Sequence, residues 1–255
     1  MPKQVVARIS RQLRHRVKTF LGTRPGLYFP IFRNREGYGD LLVSADTDIC
    51  IEGFPRSANS FATGAFQYAQ PESVHIAHHT HVAANAMRAC ELQIPTVVLI
   101  RNPVDAIISN ISLAKEVQLV EKGKEPDASN LIGFRRQLTA WCAFYEALCP
   151  FQSHFVLAPF EEVVEDMGRV IDRANKRFRK TFAAFEHTEK NAEAVHDQLG
   201  YHAGPNKRRK AIKQSTQDEF GRALHASSRL QQHVDQARDL RRSLLTESAS
   251  QIPGT

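Results

Sequence analysis

Two segments of this sequence carry residues that could bind anions, and the first begins shortly after the apolar stretch Ile49–Ile51. It reads Pro55-Arg56-Ser57-Ala58-Asn59-Ser60-Phe61. An apolar strand, a turn of small and polar residues and then a helix is typical of anion-binding loops, because the amides there point at the ligand. Arg56 adds a permanent charge that can hold two oxygens, and the serines add hydroxyl donors. The segment lacks the Gly-Lys pair of a nucleoside triphosphate loop, so a different anion is predicted.

The second segment is residues 97–110, in which Arg101 ends another apolar stretch. Pro103 follows at a predicted helix start, where proline is tolerated. Ser109 lies eight residues after Arg101. An arginine at a strand end and a serine about two turns into the next helix could bind a second anionic group. The alternative is that Arg101 pairs with Asp105 and caps its own helix.

Between these segments lies a cluster of histidines, His78, His79 and His81, at the end of a predicted strand. A histidine that titrates near neutral pH can accept the proton of a hydroxyl group, which makes each a candidate general base. Purely structural histidines are the alternative. A zinc site is a third interpretation, because alternate strand residues share a face. No cysteine or third ligand stands at suitable spacing, so no metal is predicted.

Short β-like stretches alternate with helical patterns along the chain. The predicted strands are Asp48–Gly53, Ser73–Ala77, Thr96–Ile100 and His154–Ala158. The predicted helices are Ser60–Gln70, Val82–Leu92, Pro103–Leu113 and Leu131–Cys149. This alternation predicts a parallel sheet with crossover helices. The expected fold class is therefore α/β, a P-loop-like parallel sheet flanked by helices, with a helical C-terminal part.

Other segments have less regular patterns. Residues 22–47 are rich in Gly, Pro, Arg and aromatic residues and are predicted to be irregular, and residues 115–130 are predicted to form a long loop. One long amphipathic helix is predicted near the C-terminus, from Phe220, Leu224, Leu230, Val234, Ala237 and Leu244. Residues 248–255 are predicted to be disordered. Trp141, Phe144 and Tyr145 are interpreted as core residues, with an acceptor pocket as the alternative.

The two anion-binding segments and their order resemble the sulfotransferases that use 3'-phosphoadenosine 5'-phosphosulfate (PAPS). In that family a loop of the type Pro-[Lys/Arg]-Ser-Gly-[Ser/Thr]-[Ser/Thr] precedes a histidine at a strand end. An Arg-[Asn/Asp]-Pro-x-Asp segment with a later serine follows, and then a [Phe/Tyr]-Glu-[Asp/Glu]-apolar segment. Residues 160–163, Phe-Glu-Glu-Val, match the last of these. The resemblance covers roughly residues 49–178, and the agreement of two spaced motifs and their order makes it specific.

The resemblance implies a role for each matched residue. The first loop would bind the 5'-phosphosulfate, while Arg101 and Ser109 would bind the 3'-phosphate. Thr80-His81 matches the end of the family's Lys-Thr-His, which makes His81 the general base. The implied reaction is in-line transfer of a sulfuryl group from PAPS to an acceptor hydroxyl or amine, without a metal, releasing 3',5'-ADP. Arg56 would then be catalytic, because it faces the charge that grows on the leaving oxygen.

Two features depart from the family pattern. Ala58 stands where the loop usually has glycine, so it must adopt the turn without glycine's freedom. The family's late basic motif is matched only loosely, by residues 207–210. The predicted cofactor-binding residues are Arg56, Ser57, Ala58, Asn59, Ser60, Phe61, Arg101, Ser109, Arg208 and Arg209.

Two other functions remain as alternatives. A P-loop kinase-like transferase would need a loop lysine and a magnesium-binding acid after a second strand, where this chain has Arg101. The other alternative is an inactive PAPS-fold binding protein, held at a membrane by the basic N-terminal arm.

The positive charge of the chain is concentrated at its start. Residues 1–24 hold seven Lys/Arg and no acid, and the rest has 27 basic and 27 acidic residues. Nucleic-acid binding is therefore not predicted. The apolar spacing of Val5, Ile9, Leu13 and Val17 predicts that residues 1–24 form a basic amphipathic helix. The resemblance implies that residues 25–247 form a single sulfotransferase-like domain. The helix is expected to pack on that domain, with an anionic membrane surface or an organellar transit peptide as alternatives.

Two further features of the composition bear on the cellular location of the protein. The four cysteines are scattered without a CxxC pair, which favours a reduced compartment, and no apolar stretch is long enough for a membrane span or a secretory signal. The expectation is a cytoplasmic protein, with a peripheral membrane position as the alternative. Association of chains through the C-terminal helix is left open.

Overall fold

The central element of the fold is a four-stranded, all-parallel sheet, described here from a computed structural model that covers residues 3–122, 132–199 and 207–250. The strands are β1 (Ile49–Gly53), β2 (Ile76–His78), β3 (Thr96–Ile100) and β4 (Val156–Pro159). Their order in the sheet is β2-β1-β3-β4. The predicted α/β class and parallel sheet are confirmed. Because β1 and β3 are neighbours, the segments that follow them meet at one edge of the sheet.

Helices cover both faces of the sheet and form most of the C-terminal part. They are α1 (Lys3–Leu21), α2 (Pro25–Phe32), α3 (Asn59–Ala69), α4 (Ala83–Glu91), α5 (Pro103–Lys122), α6 (Phe134–Glu146), α7 (Phe160–Glu165), α8 (Met167–Phe178), α9 (Glu189–Leu199), α10 (Lys207–His225) and α11 (Ser228–Ser250). Short 3-10 helices span Gly39–Leu41 and Cys149–His154.

The core has two layers, because alternate residues of each strand point to opposite faces of the sheet. Ile49 and Ile51 pack with α3 and α8 on one face, while Cys50 points to the other. The second layer holds the fully buried Trp141 and Tyr145 of α6, and the Tyr145 hydroxyl donates to the Leu99 carbonyl at 2.7 Å. The interpretation of these two aromatic residues as core is confirmed.

The segment 22–47 is more regular than predicted. Helix α2 begins at Pro25, whose fixed φ suits the first helical position, and this favours a helix where the Gly and Pro content suggested an irregular segment. Its Tyr28 is buried and stacks on Phe32 at 4.4 Å between ring centroids. Packing of aromatic residues therefore stabilises a helix that local propensity did not indicate.

Three further predictions about the elements were wrong in part. Helix α5 continues to Lys122, so the first half of the predicted loop is helical, while residues 123–131 lie outside the described part. The continuation is stabilised by α10, since buried Lys115 contacts Glu219 at 2.6 Å.

The structure has two helices, α10 and α11, where one long C-terminal helix was predicted. The chain breaks between them at Ser227, which caps α11 by accepting from the Leu230 amide. Residues 248–250, predicted to be disordered, complete α11, and residues 251–255 lie outside the described part.

Candidate functional site

The loop after β1 has the tight backbone expected of an anion-binding turn. Arg56 and Ala58 adopt left-handed conformations, with φ of 70° and 69°. Ala58 therefore takes the conformation for which the family pattern has glycine. The side chains of Ser57 and Asn59 are buried, and the Asn59 amide donates to the Phe54 carbonyl at 3.1 Å. The Asn59 side chain thus ties the loop to the end of β1, and Asn59, Ser60 and Phe61 line a cleft together with Arg56 and Ala58.

Arg56 is held by both members of the second anion-binding segment. Its Nε donates to the Oγ of Ser109 at 3.0 Å, and its carbonyl accepts from Nη1 of Arg101 at 2.9 Å. The Arg101 guanidinium also lies over the ring of Phe160, 3.8 Å from its centroid. Asn102, rather than Arg101, caps α5 by accepting from the Val104 amide at 3.0 Å. The two segments therefore form one contiguous cationic surface at the ends of β1 and β3.

This surface concentrates positive charge in a partly desolvated place. Burial lowers the pKa of Arg56, and the nearby charges of Arg209 and Arg101 lower it further, while Glu116 raises it. The Nε of Arg209 donates to the buried Glu116 carboxylate at 2.7 Å. Arg209, predicted to bind the cofactor, is not among the residues that line the cleft. It lies near enough to Arg56 for its charge to lower the pKa of Arg56. The side chain of Arg208 lies outside the described residues.

The cleft beside the arginines has a volume of about 630 Å³, and its lining is both cationic and aromatic. Arg56 and Arg101 supply the charge. Among the aromatic residues, the Phe61 ring lies 5.3 Å from the His196 ring and 5.7 Å from the His187 ring. Flat rings of this kind are suited to stacking on a purine. Sequence reasoning missed the two histidines, since they come from α9 and the segment before it, which no motif marks.

His81 lies at the edge of this cleft in a defined orientation. Its Nδ1 lies 3.1 Å from the Gly53 carbonyl, an acceptor, so Nδ1 carries the proton and Nε2 keeps the lone pair. Burial lowers the pKa of His81 to about 4, and the charges of Lys18 and Arg56 act in the same direction. The bond to Gly53 opposes this shift. His81 is therefore neutral near pH 7 and has the form that a general base requires.

A buried carboxylate, which sequence reasoning missed, holds the histidine loop. Glu52 of β1 is completely buried and accepts from the amide and hydroxyl of Thr80 at 2.9 and 2.5 Å. It also accepts from the His81 amide at 3.2 Å and from Asn85 at 3.1 Å. Burial raises the pKa of Glu52, and these hydrogen bonds oppose the rise. Glu52 thus positions His81 without lining the cleft itself.

The other two histidines of the cluster interact with each other and with the first loop. The Nδ1 atoms of His78 and His79 lie 2.5 Å apart, and Nε2 of His79 lies 3.0 Å from the Oγ of Ser60. Burial lowers the pKa of both rings, to about 4 for His78. Within the described residues, no group of three or more His, Cys, Asp or Glu could hold a metal ion.

A second cavity lies on another side of His81. It has a volume of about 280 Å³ and shares Pro55, His81 and Asn110 with the cleft. Its remaining lining combines polar residues of α1 with apolar residues of α4 and α6, among them Phe144. Phe144 is buried in the core, as predicted, and one side of it also lines this cavity. Molecules bound in this cavity and in the cleft would both contact His81.

Comparisons with known proteins found a likeness among solved structures and none among sequences. No family model matches the chain, and no curated protein sequence matches it. Among solved structures, the fold is similar to the crystal structure of mouse sulfotransferase SULT7A1 complexed with PAP. The identity is 9%, the TM-score is 0.38, and the match covers 85% of this chain and 95% of that one. At this sequence identity and TM-score the likeness carries no argument about function, and a function must be argued from the residues of the site.

Proposed function

We propose that this protein is a sulfotransferase that moves a sulfuryl group from PAPS to an acceptor hydroxyl or amine. The observation that carries the proposal is the position of His81, which lines both the cationic cleft and the second cavity. A neutral histidine between two sites can accept a proton from a molecule in one site while a group is transferred to that molecule from the other site. This arrangement suits group transfer between two bound molecules.

In this proposal the cleft binds the sulfate donor. The purine would stack among Phe61, His187 and His196, and the phosphates would lie against Arg56 and Arg101. The side chains of Ser109 and Arg101 contact Arg56 directly. The sites for the 5'-phosphosulfate and the 3'-phosphate would therefore be adjacent parts of one surface. A doubly anionic ligand would offset the repulsion between the arginines, which favours binding of a nucleotide with phosphates at both ends of its ribose.

The acceptor would occupy the second cavity. Nε2 of His81 would take the proton of its hydroxyl or amine as the new O–S or N–S bond forms. The bond between sulfur and the bridging oxygen of the 5'-phosphate breaks in the same step. Negative charge then grows on that oxygen, where Arg56 and the loop amides are placed to stabilise it.

The kinase-like alternative is less well supported by the lining of the cleft. Magnesium in phosphoryl-transfer sites is bound through carboxylates and substrate phosphates. Among the described residues that line the cleft, none is Asp, Glu or Lys. Titration with 3',5'-ADP and with ATP plus magnesium distinguishes the two functions, since a kinase would prefer the triphosphate.

The decisive experiment compares 3',5'-ADP with 5'-AMP by calorimetry. Wild type should bind 3',5'-ADP about ten- to a hundredfold more tightly, since a charge-assisted contact to a phosphate contributes roughly 1.5–3 kcal/mol. Arg101→Ala should remove most of this preference, and Ser109→Ala a smaller part. Arg88→Ala is the matched control, because Arg88 pairs with Glu91 on the exposed side of α4. Equal affinities of wild type for the two nucleotides would contradict the proposal.

Activity is tested with PAPS that carries radiolabelled sulfate, over phenols, steroids, sugars and lipids. His81→Ala should reduce transfer on the order of 10²-fold or more while leaving 3',5'-ADP affinity unchanged. Tight, selective nucleotide binding without transfer to any acceptor would favour the inactive binding protein.

A further inference from the structure

The exposed apolar side chains of this protein are concentrated near its N-terminus. In α1, Leu13, Val17 and Phe20 are 58%, 47% and 52% exposed, and in α2, Leu27 and Ile31 are 46% and 55% exposed. These five residues are more than half of the nine exposed large hydrophobic residues that the structure describes. Exposed apolar side chains concentrated on two helices that contact each other mark an interaction surface.

Helix α1 packs on the body of the protein through its polar side. His15, Lys18 and Thr19 line the second cavity, and the Gly22 carbonyl accepts from the Ala84 amide at 2.8 Å. Leu13, Val17 and Phe20 follow the spacing of a single helical stripe, which lies on the outside. Helix α1 therefore contacts the domain through its polar side, while the described members of the predicted apolar stripe, Leu13 and Val17, are exposed.

The same part of the chain carries only positive charge. Residues 1–35 hold nine Lys/Arg, and the first acidic residue is Glu36. The Arg24 guanidinium lies over the ring of Phe20, 3.8 Å from its centroid, so apolar and cationic groups share this surface. Two copies of the surface would repel each other, while a nucleic acid would leave its apolar side chains unused.

We propose that the outer face of α1 and α2, comprising Leu13, Val17, Phe20, Leu27 and Ile31, is a docking surface for an anionic lipid bilayer. The apolar side chains would enter the boundary between headgroups and acyl chains, and the basic residues would contact the lipid phosphates. Docking at the interface is the mode that fits, because no helix in the described ranges is both long and apolar enough to cross a membrane. This proposal does not depend on the sulfotransferase activity.

The test is cosedimentation of the full chain with large vesicles of phosphatidylcholine, alone or mixed with phosphatidylglycerol. Wild type should bind the mixed vesicles at least about tenfold more strongly than the neutral ones, and added salt should weaken that binding. Val17→Ser with Phe20→Ser should reduce binding to the mixed vesicles by about tenfold or more. Val120→Ser is the matched control, since Val120 is a similarly exposed valine, 48% against 47%, on α5.

Other partners of this surface would give different results in binding experiments. Equal binding to both vesicle types, or binding that the double variant does not change, would overturn the proposal. A dimer in sedimentation velocity that Val17→Ser dissociates would identify a second copy as the occupant. Tight binding of duplex DNA that the double variant retains, without vesicle binding, would identify a nucleic acid. The double variant must keep the wild-type thermal unfolding midpoint, which is expected because both side chains are exposed.

Discussion

At the scale of single residues, the site stands out by its backbone. Six non-glycine residues among those described have positive φ, and four of them, Arg56, Ala58, His79 and His81, belong to the two loops of the candidate site. Each such residue costs of order 1 kcal/mol and persists only when its surroundings enforce it. For the histidine loop, the enforcing group is the buried carboxylate of Glu52, which accepts from two of its amides.

Ala58 provides a direct measure of this cost. Its φ of 69° is a conformation that glycine adopts freely, so Ala58→Gly should raise the free energy of unfolding by about 0.5–1 kcal/mol. Ala194→Gly, within α9, is the control and should lower it by about 1 kcal/mol. Urea denaturation of both variants measures the difference. A loss of stability in Ala58→Gly as large as in the control would show that the loop is not strained.

The neutral state of His81 predicts the acid limit of activity. Because burial lowers its pKa to about 4, the basic form persists well below the ordinary titration range of histidine. The acid limb of kcat/KM should therefore fall near pH 4, since this profile reports the free enzyme. The measurement is the pH profile of sulfate transfer with an acceptor that does not titrate in this range. An acid limb at about pH 6.5, the ordinary histidine value, would exclude the depressed pKa.

At the scale of elements, α1 closes the second cavity through a tight contact. A Cβ atom on Gly22 would lie 2.8 Å from Cγ1 of Val82, the residue before α4, so only glycine lets the end of α1 approach Val82 this closely. The same Cβ would lie 2.8 Å from the Lys18 carbonyl of α1 itself. The position of α1 thus depends on Gly22, the residue that follows its C-terminal end. Because α1 forms part of the wall of the proposed acceptor site, that wall depends on Gly22 as well.

Gly22→Ala should displace α1 and change the acceptor side of the site alone. We expect a loss of about 1–3 kcal/mol in stability and a higher KM for the acceptor, while 3',5'-ADP affinity is retained. Gly26→Ala is the matched control, because a Cβ there would meet nothing within 4 Å. Unfolding curves, acceptor kinetics and nucleotide titrations measure the three effects. Loss of nucleotide affinity in Gly22→Ala would mean that α1 supports the cleft as well.

At the scale of the whole molecule, the histidines make stability depend on pH. Burial lowers the pKa of His15, His78, His79 and His81, to about 4 for His78 and His81. As the pH falls below about 6.5, the unfolded chain binds protons that the folded chain does not, so stability decreases. The raised pKa of Glu52 works in the opposite direction, because there the folded state binds the proton first.

Burial also raises the pKa of Glu162. The four histidines outnumber these two carboxylates, so the net effect is a loss of stability between about pH 6.5 and pH 4. The urea midpoint should be lower at about pH 5 than at about pH 7. His78→Gln should reduce the difference, because Gln does not titrate. A midpoint that is independent of pH across this range would contradict the depressed pKa values.

The sequence by itself determined the parts whose signals are local. Apolar stretches followed by turn residues marked the strands, with β3 predicted at its observed bounds, and the helices between them implied a parallel sheet. The two arginine segments and the histidine loop were found in the same way, because their residue types stand together in the chain. How the site residues act in the reaction remains a prediction.

Only the tertiary structure decided which of these parts touch. The adjacency of β1 and β3 joins Arg56, Arg101 and Ser109 into one surface, although 53 residues separate Arg56 from Ser109. Three other features also depend on contacts between distant segments. They are the burial of Glu52 under the histidine loop, the second cavity, and the outward orientation of the apolar stripe of α1. Contacts between distant segments are set by the free energy of packing the whole chain, and no local pattern of residues contains that information.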